Sequence, residues 1–209
     1  RLIVSINRHE NPVMAAQVAT LACERQKNGI VGLDLAGNEA EYSAAPFIKI
    51  FNNAKKYGMH ITIHAGEWNS ADNIIQAIEQ FGADRIGHGI RVLDSPSAVT
   101  LARQQGVAFE VCLTSNQHSG AVSSINKHPF LKMLDQGLNV TLNTDDPSIS
   151  QINLSDEYTL ALSELGMSYY TLRQCIMNSV HAAFISEDEK QKLIQSFEKK
   201  MPSLLKAPK

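Results

Sequence analysis

Short apolar runs alternate with longer stretches of mixed polarity along the chain. Six of these runs are rich in β-branched residues: Leu2–Ile6, Ile30–Leu35, His60–His64, Arg85–Ile90, Val107–Leu113 and Asn139–Leu142. They are continuously apolar rather than alternating, which is the pattern of strands buried on both faces in a parallel sheet wrapped by helices. The stretches between them have legible helix ends. Asn11-Pro12 opens one that stops near Asn28-Gly29, Ser43 one that stops at Gly58, Ser70 one that stops at Gly82, and Ser95-Pro96 one that stops at Gly106. A Ser or Asn side chain accepts an otherwise unpaired amide at the start, Pro is tolerated in the first turn, and Gly takes the left-handed conformation at the end. In the third helix Ile74, Ile75, Ile78 and Phe81 fall on one stripe that can cover a sheet. After the sixth run the spacing predicts helices over Ser155–Leu165, Ser168–Val180 and Ser186–Met201, the last with Ser186 and Glu189 in capping-box register.

A strand–helix unit of roughly 25–30 residues matches the pace of a (β/α)8 barrel, which needs about 250 residues for eight units. The expected fold class is therefore α/β, a (β/α)8 TIM barrel with about six of its eight strands in this chain. Residues 1–209 are then the C-terminal portion of one barrel domain whose N-terminal strands are missing. The sequence opens on Arg1 and runs directly into a strand-like segment, which fits that expectation. A doubly wound open sheet is the alternative and needs no further strands.

The residues after each run favour the barrel. The first run leads into Asn7-Arg8-His9-Glu10, the second into Asp34-Leu-Ala-Gly37-Asn-Glu39, and the third into His64-Ala-Gly-Glu67. The fourth contains Gly87-His88-Gly89, the fifth is followed by Thr114-Ser115-Asn116, and the sixth by Asn143-Thr144-Asp145-Asp146-Pro147. Reactive groups gather at the carboxyl ends of strands in such folds, and six polar ends converging on one mouth suit a barrel.

Composition narrows the chemistry. Hydrophobic residues make up 44% and charged residues 19% of the chain, with a net charge of -2, which argues against both disorder and a nucleic-acid partner. The three cysteines are scattered, with no CxxC pair. This argues against a cysteine-rich metal site and a disulfide framework, and fits a reducing, cytoplasmic setting. No run reaches the roughly 18–20 apolar residues needed to span a bilayer, so no membrane partner is expected. Imidazole and carboxylate without thiolate suit a catalytic zinc with a position open to water, and His64 and Asp145 are the natural ligand candidates. Glu67, three residues beyond His64, is placed to donate a proton without ligating. His88, between two glycines, is placed to orient water or take its proton.

The segments Asp34-Leu-Ala-Gly37, His64-Ala-Gly-Glu67, Arg85-Ile-Gly-His88-Gly89 and Leu142-Asn-Thr-Asp-Asp-Pro147 together resemble the signature motifs of the adenosine deaminase family of metal-dependent hydrolases, in the family's order and spacing. The resemblance implies a zinc barrel that converts adenosine to inosine and deoxyadenosine to deoxyinosine with release of ammonia. It implies that His64 and Asp145 ligate zinc and that Glu67 protonates the purine ring. It also implies that His88 positions or deprotonates the attacking water, that Gly37 offers a backbone contact to the purine, and that Asp146 reaches the imidazole side of the base.

One element of the family pattern is missing. Two further zinc ligands come from a His-x-His on the family's first strand, and no two of the seven histidines here stand two apart. His60 and His64 are no substitute, because on a strand they lie about 13 Å apart. This chain alone is therefore expected to hold zinc poorly, with an N-terminal fragment of the same protein as partner and a purine nucleoside as substrate. Asn38 stands where the family often has aspartate, with little consequence expected.

Other readings compete at single positions. Gly37 could serve only a tight turn, with Asn38 and Glu39 in a solvated loop. Asp145-Asp146-Pro147 could be an ordinary helix start. His118, His128 and His181 read as structural or exposed, Cys112 as core inside the fifth strand, and Glu187-Asp-Glu-Lys190 as a charged helix start. For the whole chain the rivals are a deaminase of adenine or AMP, and an inactive fragment that binds a nucleoside or a protein. A binuclear amidohydrolase is disfavoured, because Gly32-Leu-Asp-Leu-Ala36 offers no bridging lysine.

Overall fold

The computed structural model describes residues 1–201. By contact the chain falls into two units, Arg1–Phe109 and the residues from Glu110 onward.

The first unit holds β1 (Leu2–Asn7), α1 (Pro12–Glu24), β2 (Ile30–Ala36), α2 (Ile48–Lys56), β3 (His60–Ala65), α3 (Ala71–Phe81), β4 (Arg85–His88), α4 (Pro96–Gln105) and the start of β5 (Ala108–Val111). The strands pair in parallel. Ser5 lies opposite Asp34, Asp34 opposite Thr62, and His64 opposite Gly87. Leu33, Leu35, Ile61, Ile63 and Ile86 form the buried centre, covered by Phe51 from α2 and by Ile74 and Phe81 from α3. Each such side chain contributes roughly 1.5–3 kcal/mol on burial.

The helix starts at α1, α3 and α4 follow the sequence signals, but α1 ends at Glu24 rather than near Asn28-Gly29, and a separate 3-10 turn covers Gln26–Asn28. Asn11 accepts from the Val13 amide at the start of α1, Ser70 from the Asp72 amide at α3, and Ser95 from the Ala98 amide at α4. Gly82 and Gly106 close α3 and α4 at φ 60° and 64°. The segment after Ser43 differs, since Pro46 lies in a 3-10 turn over Ala45–Phe47 and α2 begins only at Ile48. The fourth run also stops early. His88 and Gly89 adopt left-handed conformations and a 3-10 turn over Ile90–Asp94 follows, so the ladder ends at His88. Burial on both faces fails at β1, where Leu2 is 64% and Ile3 38% exposed; among the described residues β1 pairs only with β2.

The second unit contains the end of β5, α5 (Leu113–His118), α6 (Phe130–Asp135), β6 (Asn139–Leu142), the single turn α7 (Pro147–Ser150), α8 (Leu154–Ser163), α9 (Tyr169–Ala182) and α10 (Glu187–Lys200). The fifth run is a strand for four residues only. Cys112 lies past its end, buried at the start of α5, so the expectation that it sits inside the strand is corrected while its core burial stands. α8 starts one residue before the expected Ser155, because Asn153 and Asp156 form the capping box. Ser168 caps α9, and Ser186 with Glu189 boxes α10 as anticipated. His128 is buried, bonded to Asn116 Oδ1 and to the Phe130 amide, while His118 and His181 are exposed.

The strands run β1-β2-β3-β4-β5-β6, in the order of the chain. A doubly wound sheet reverses its order at a switch point, and no reversal occurs here. The sheet is an open, sequential run of the kind a (β/α)8 barrel contains. No described helix is long and apolar enough to cross a membrane.

Candidate active site

In the first unit, parallel pairing carries the ends of β2, β3 and β4 to one edge of the sheet. His64, the penultimate residue of β3, lies opposite Gly87, and a Cβ at position 87 would come within 3.0 Å of the His64 ring. Gly87 therefore gives the imidazole its space. Asp34 Oδ1 lies 2.9 Å from His64 Nδ1, and Ser5 Oγ donates to Asp34 Oδ2 at 2.8 Å. An ionised Asp34 makes Nδ1 the protonated nitrogen and leaves the coordinating lone pair on Nε2. Arg8 Nη2 donates to the His64 carbonyl, so His64 is held at both its backbone and its ring.

His88 packs edge-on against His64, with ring centroids 5.2 Å apart, and a ring nitrogen of each lies within 4.8 Å of the other. His88 Nε2 is 3.5 Å from Glu67 Oε2, and both side chains are buried. His88 holds φ 59° without being glycine, a conformation that costs energy and persists where the surroundings enforce it. Gly89 beside it leaves room for the Phe109 ring, which a Cβ would approach to 2.4 Å. The glycines around His88 thus admit two protein rings. Gly37, at φ 95°, lies against Asn7, whose Oδ1 a Cβ would meet at 2.2 Å.

The loop between β3 and α3 is organised by a residue the sequence pattern misassigns. Glu39 is not in a solvated loop; it is 5% exposed. Its Oε1 accepts from the amides of Glu67 (2.6 Å), Trp68 (2.9 Å) and Asn69 (3.3 Å). Its Oε2 accepts from the Gly66 amide (2.8 Å) and Asn73 Nδ2 (2.7 Å). Burial by itself would raise the Glu39 pKa, but the Asn73 amide and the backbone donors outweigh it and hold the carboxyl below its ordinary range. Arg8 is also buried, which lowers its pKa although the Glu39 and Asp34 carboxylates oppose the shift.

In the second unit, Asp145 and Asp146 follow β6 through Asn143, whose amide donates to the Val111 carbonyl. Asp145 has φ 57° and accepts from Ser115 Oγ at 2.6 Å. Asp146 starts α7, its carbonyl accepting from Ile149 and Ser150. Both carboxylates are exposed. The helix-start reading of this triplet is therefore correct as local structure, and the left-handed Asp145 is the additional feature. Within unit 1 the structure gathers His64, Glu67 and His88, and places Gly37 against Asn7; within unit 2 it sets Asp145 beside Ser115 and Asp146 at a helix start. Asp34 was visible as the first residue of a motif and as a charge inside an apolar run, itself a sign of a paired group, but its bond to His64 was not. Glu39 gave no such signal.

The adenosine deaminase family profile matches residues 1–200. The chain belongs to the adenosine deaminase family. An adenosine deaminase of Klebsiella pneumoniae (strain 342) is 40% identical over 181 residues, covering 87% of this chain and 54% of that relative. The chain therefore spans about half the length of such a relative. Among solved structures, arabidopsis ADAL complexed with IMP aligns with a TM-score of 0.86 at 32% identity, over 95% of this chain and 58% of that one. An amidohydrolase from Burkholderia ambifaria with bound Zn aligns with a TM-score of 0.89 at 26% identity, over 96% of this chain and 56% of that one. The sequential strand order of this chain agrees with these structural relatives.

Proposed function

We propose that this chain is the C-terminal part of a zinc-dependent adenosine deaminase. The enzyme would act in cytoplasmic purine salvage, replacing the 6-amino group of adenosine or deoxyadenosine with oxygen from water and releasing ammonia. The observation that supports this most directly is the cluster in which Asp34 orients the half-buried His64 and His88 faces Glu67. An imidazole whose second nitrogen bonds a carboxylate is the arrangement metal-bound histidines use, and a donor set of imidazole and carboxylate without thiolate suits zinc. His64 and Asp145 would hold the ion, with two further histidines from the N-terminal segment that this chain lacks. When bound, zinc lowers the pKa of coordinated water to about 7 and so supplies a nucleophile at neutral pH.

The protein's own groups do the rest. Glu67 delivers a proton to the purine ring nitrogen beside C6, which makes that carbon electrophilic. His88 takes the proton of the attacking water and can return it to the leaving amine. Gly37, which has no side chain to intervene, offers its backbone to the purine edge, and Asp146 reaches the imidazole side of the base. The partner in this reading is an N-terminal fragment of the same protein, and the substrate is a purine nucleoside.

The test is the loss of adenosine absorbance with and without zinc, for this chain alone and together with a polypeptide supplying the His-x-His strand. Turnover by the pair and its collapse by more than about 100-fold in Glu67→Gln are expected. Full activity of Glu67→Gln would refute the assignment. A second reading, an adenine nucleotide as substrate, is favoured by the IMP bound to one structural relative. Parallel turnover of adenosine, adenine and AMP decides between them.

A further inference from the structure

We infer that Glu39 is a positioning residue for the deamination, holding the backbone from which Glu67 projects; the inference rests on the reading of Glu67 as the proton donor. The four residues Gly66 to Asn69 bridge the end of β3 and the Ser70 cap of α3. All four of their amides point at one carboxylate, and Asn73 Nδ2 from the first turn of α3 adds a fifth donor. The attachment is reciprocal, because Asn69 Nδ2 donates to the Glu39 carbonyl at 3.2 Å. Gly66 begins the turn at φ 71°, and a Cβ there would strike Ile74 at 2.5 Å. The loop thus has one path, and that path sets the Glu67 carboxyl against His88 at 3.5 Å.

The chemistry of the acceptor is specific. Five N–H donors converge on two oxygens, a demand met by an ionised carboxylate and by no other side chain of this length. A glutamine at position 39 would turn its own NH2 toward either the Gly66 and Asn73 donors or the Glu67, Trp68 and Asn69 amides. The opposed donors would push the loop away, and a displacement of about 1 Å at a reacting group can cost on the order of 100-fold in rate.

The experiment is steady-state kinetics of Glu39→Gln in the zinc-loaded enzyme active on adenosine, complete with the polypeptide that supplies its remaining ligands. Rates are normalised to bound zinc and taken well below the melting temperature. A kcat reduced about 10- to 100-fold with KM changed less than about threefold supports positioning. A purely structural role would lower the melting temperature and leave kcat per folded, zinc-loaded molecule unchanged, and a kcat within about twofold of the parent overturns the inference. Should Glu39→Gln fail to fold, Asn73→Ala, at a half-buried helix position, carries the test through the removal of one donor. A several-fold fall in kcat supports the inference, and an unchanged kcat overturns it. Glu67→Gln separates the two levels. If Glu67→Gln is inactive and Glu39→Gln normal, only the positioning role falls; if Glu67→Gln stays active, the reading beneath it falls as well.

Discussion

Asp34 stands between Leu33 and Leu35, two fully buried neighbours in β2, and its carboxylate meets Ser5 on one side and His64 on the other. A buried charge in that position is tolerable only when paired, so Asp34 and His64 are one device. On the proposed function, Asp34→Ala is expected to weaken zinc affinity of the zinc-loaded enzyme by about 10- to 100-fold, read by competition with a chromophoric chelator. Glu39 makes a different prediction. Its pKa is lowered in the folded protein, so its stabilising contribution is present above the ordinary glutamate value of about 4.3 and is lost as pH falls through the lower folded value. The stability deficit of Glu39→Gln in urea melts at pH 7 should therefore shrink at pH 3. His64, Glu67 and His88 were legible because each sits in a short motif at a strand end. Glu39 was not, because nothing in the sequence states that five donors from a loop about thirty residues downstream converge on it.

Helix boundaries were legible where a cap and a left-handed glycine closely bracket an amphipathic stretch, as Ser70 and Gly82 do for α3. α5 and α6 escaped that reading because they have six residues each and no side-chain cap, too short for helical periodicity to register. α5 begins with its amides bonded by a residue far along the chain: Glu157, wholly buried in α8, accepts from the Leu113 and Thr114 amides at 2.8 and 3.1 Å. Glu157→Ala should leave those donors unpaired in the interior, at a cost of about 2–4 kcal/mol, measured as a shift of the urea midpoint with unchanged slope. The early end of β4 has the same lesson. The run read from the sequence extends to Ile90, and the left-handed turn at His88 and Gly89 is what stops the strand.

At the level of the chain, periodicity established the number of strands, and the absence of any reversal in their order separates a barrel segment from a doubly wound sheet. The sequence contains no His-x-His, and the chain covers about half of a curated relative. The exposed face of β1 was not legible, because its residues are as apolar as those of the buried strands. One feature recurs in both units, a buried glutamate that gathers main-chain amides just beyond a strand: Glu39 for residues 66–69 and Glu157 for residues 113 and 114. Loop and first-turn amides ordinarily trade their hydrogens with solvent quickly. In deuterium oxide, these two short segments should instead retain protium nearly as long as the central strands, leaving two slow islands in a peptide-resolved uptake map.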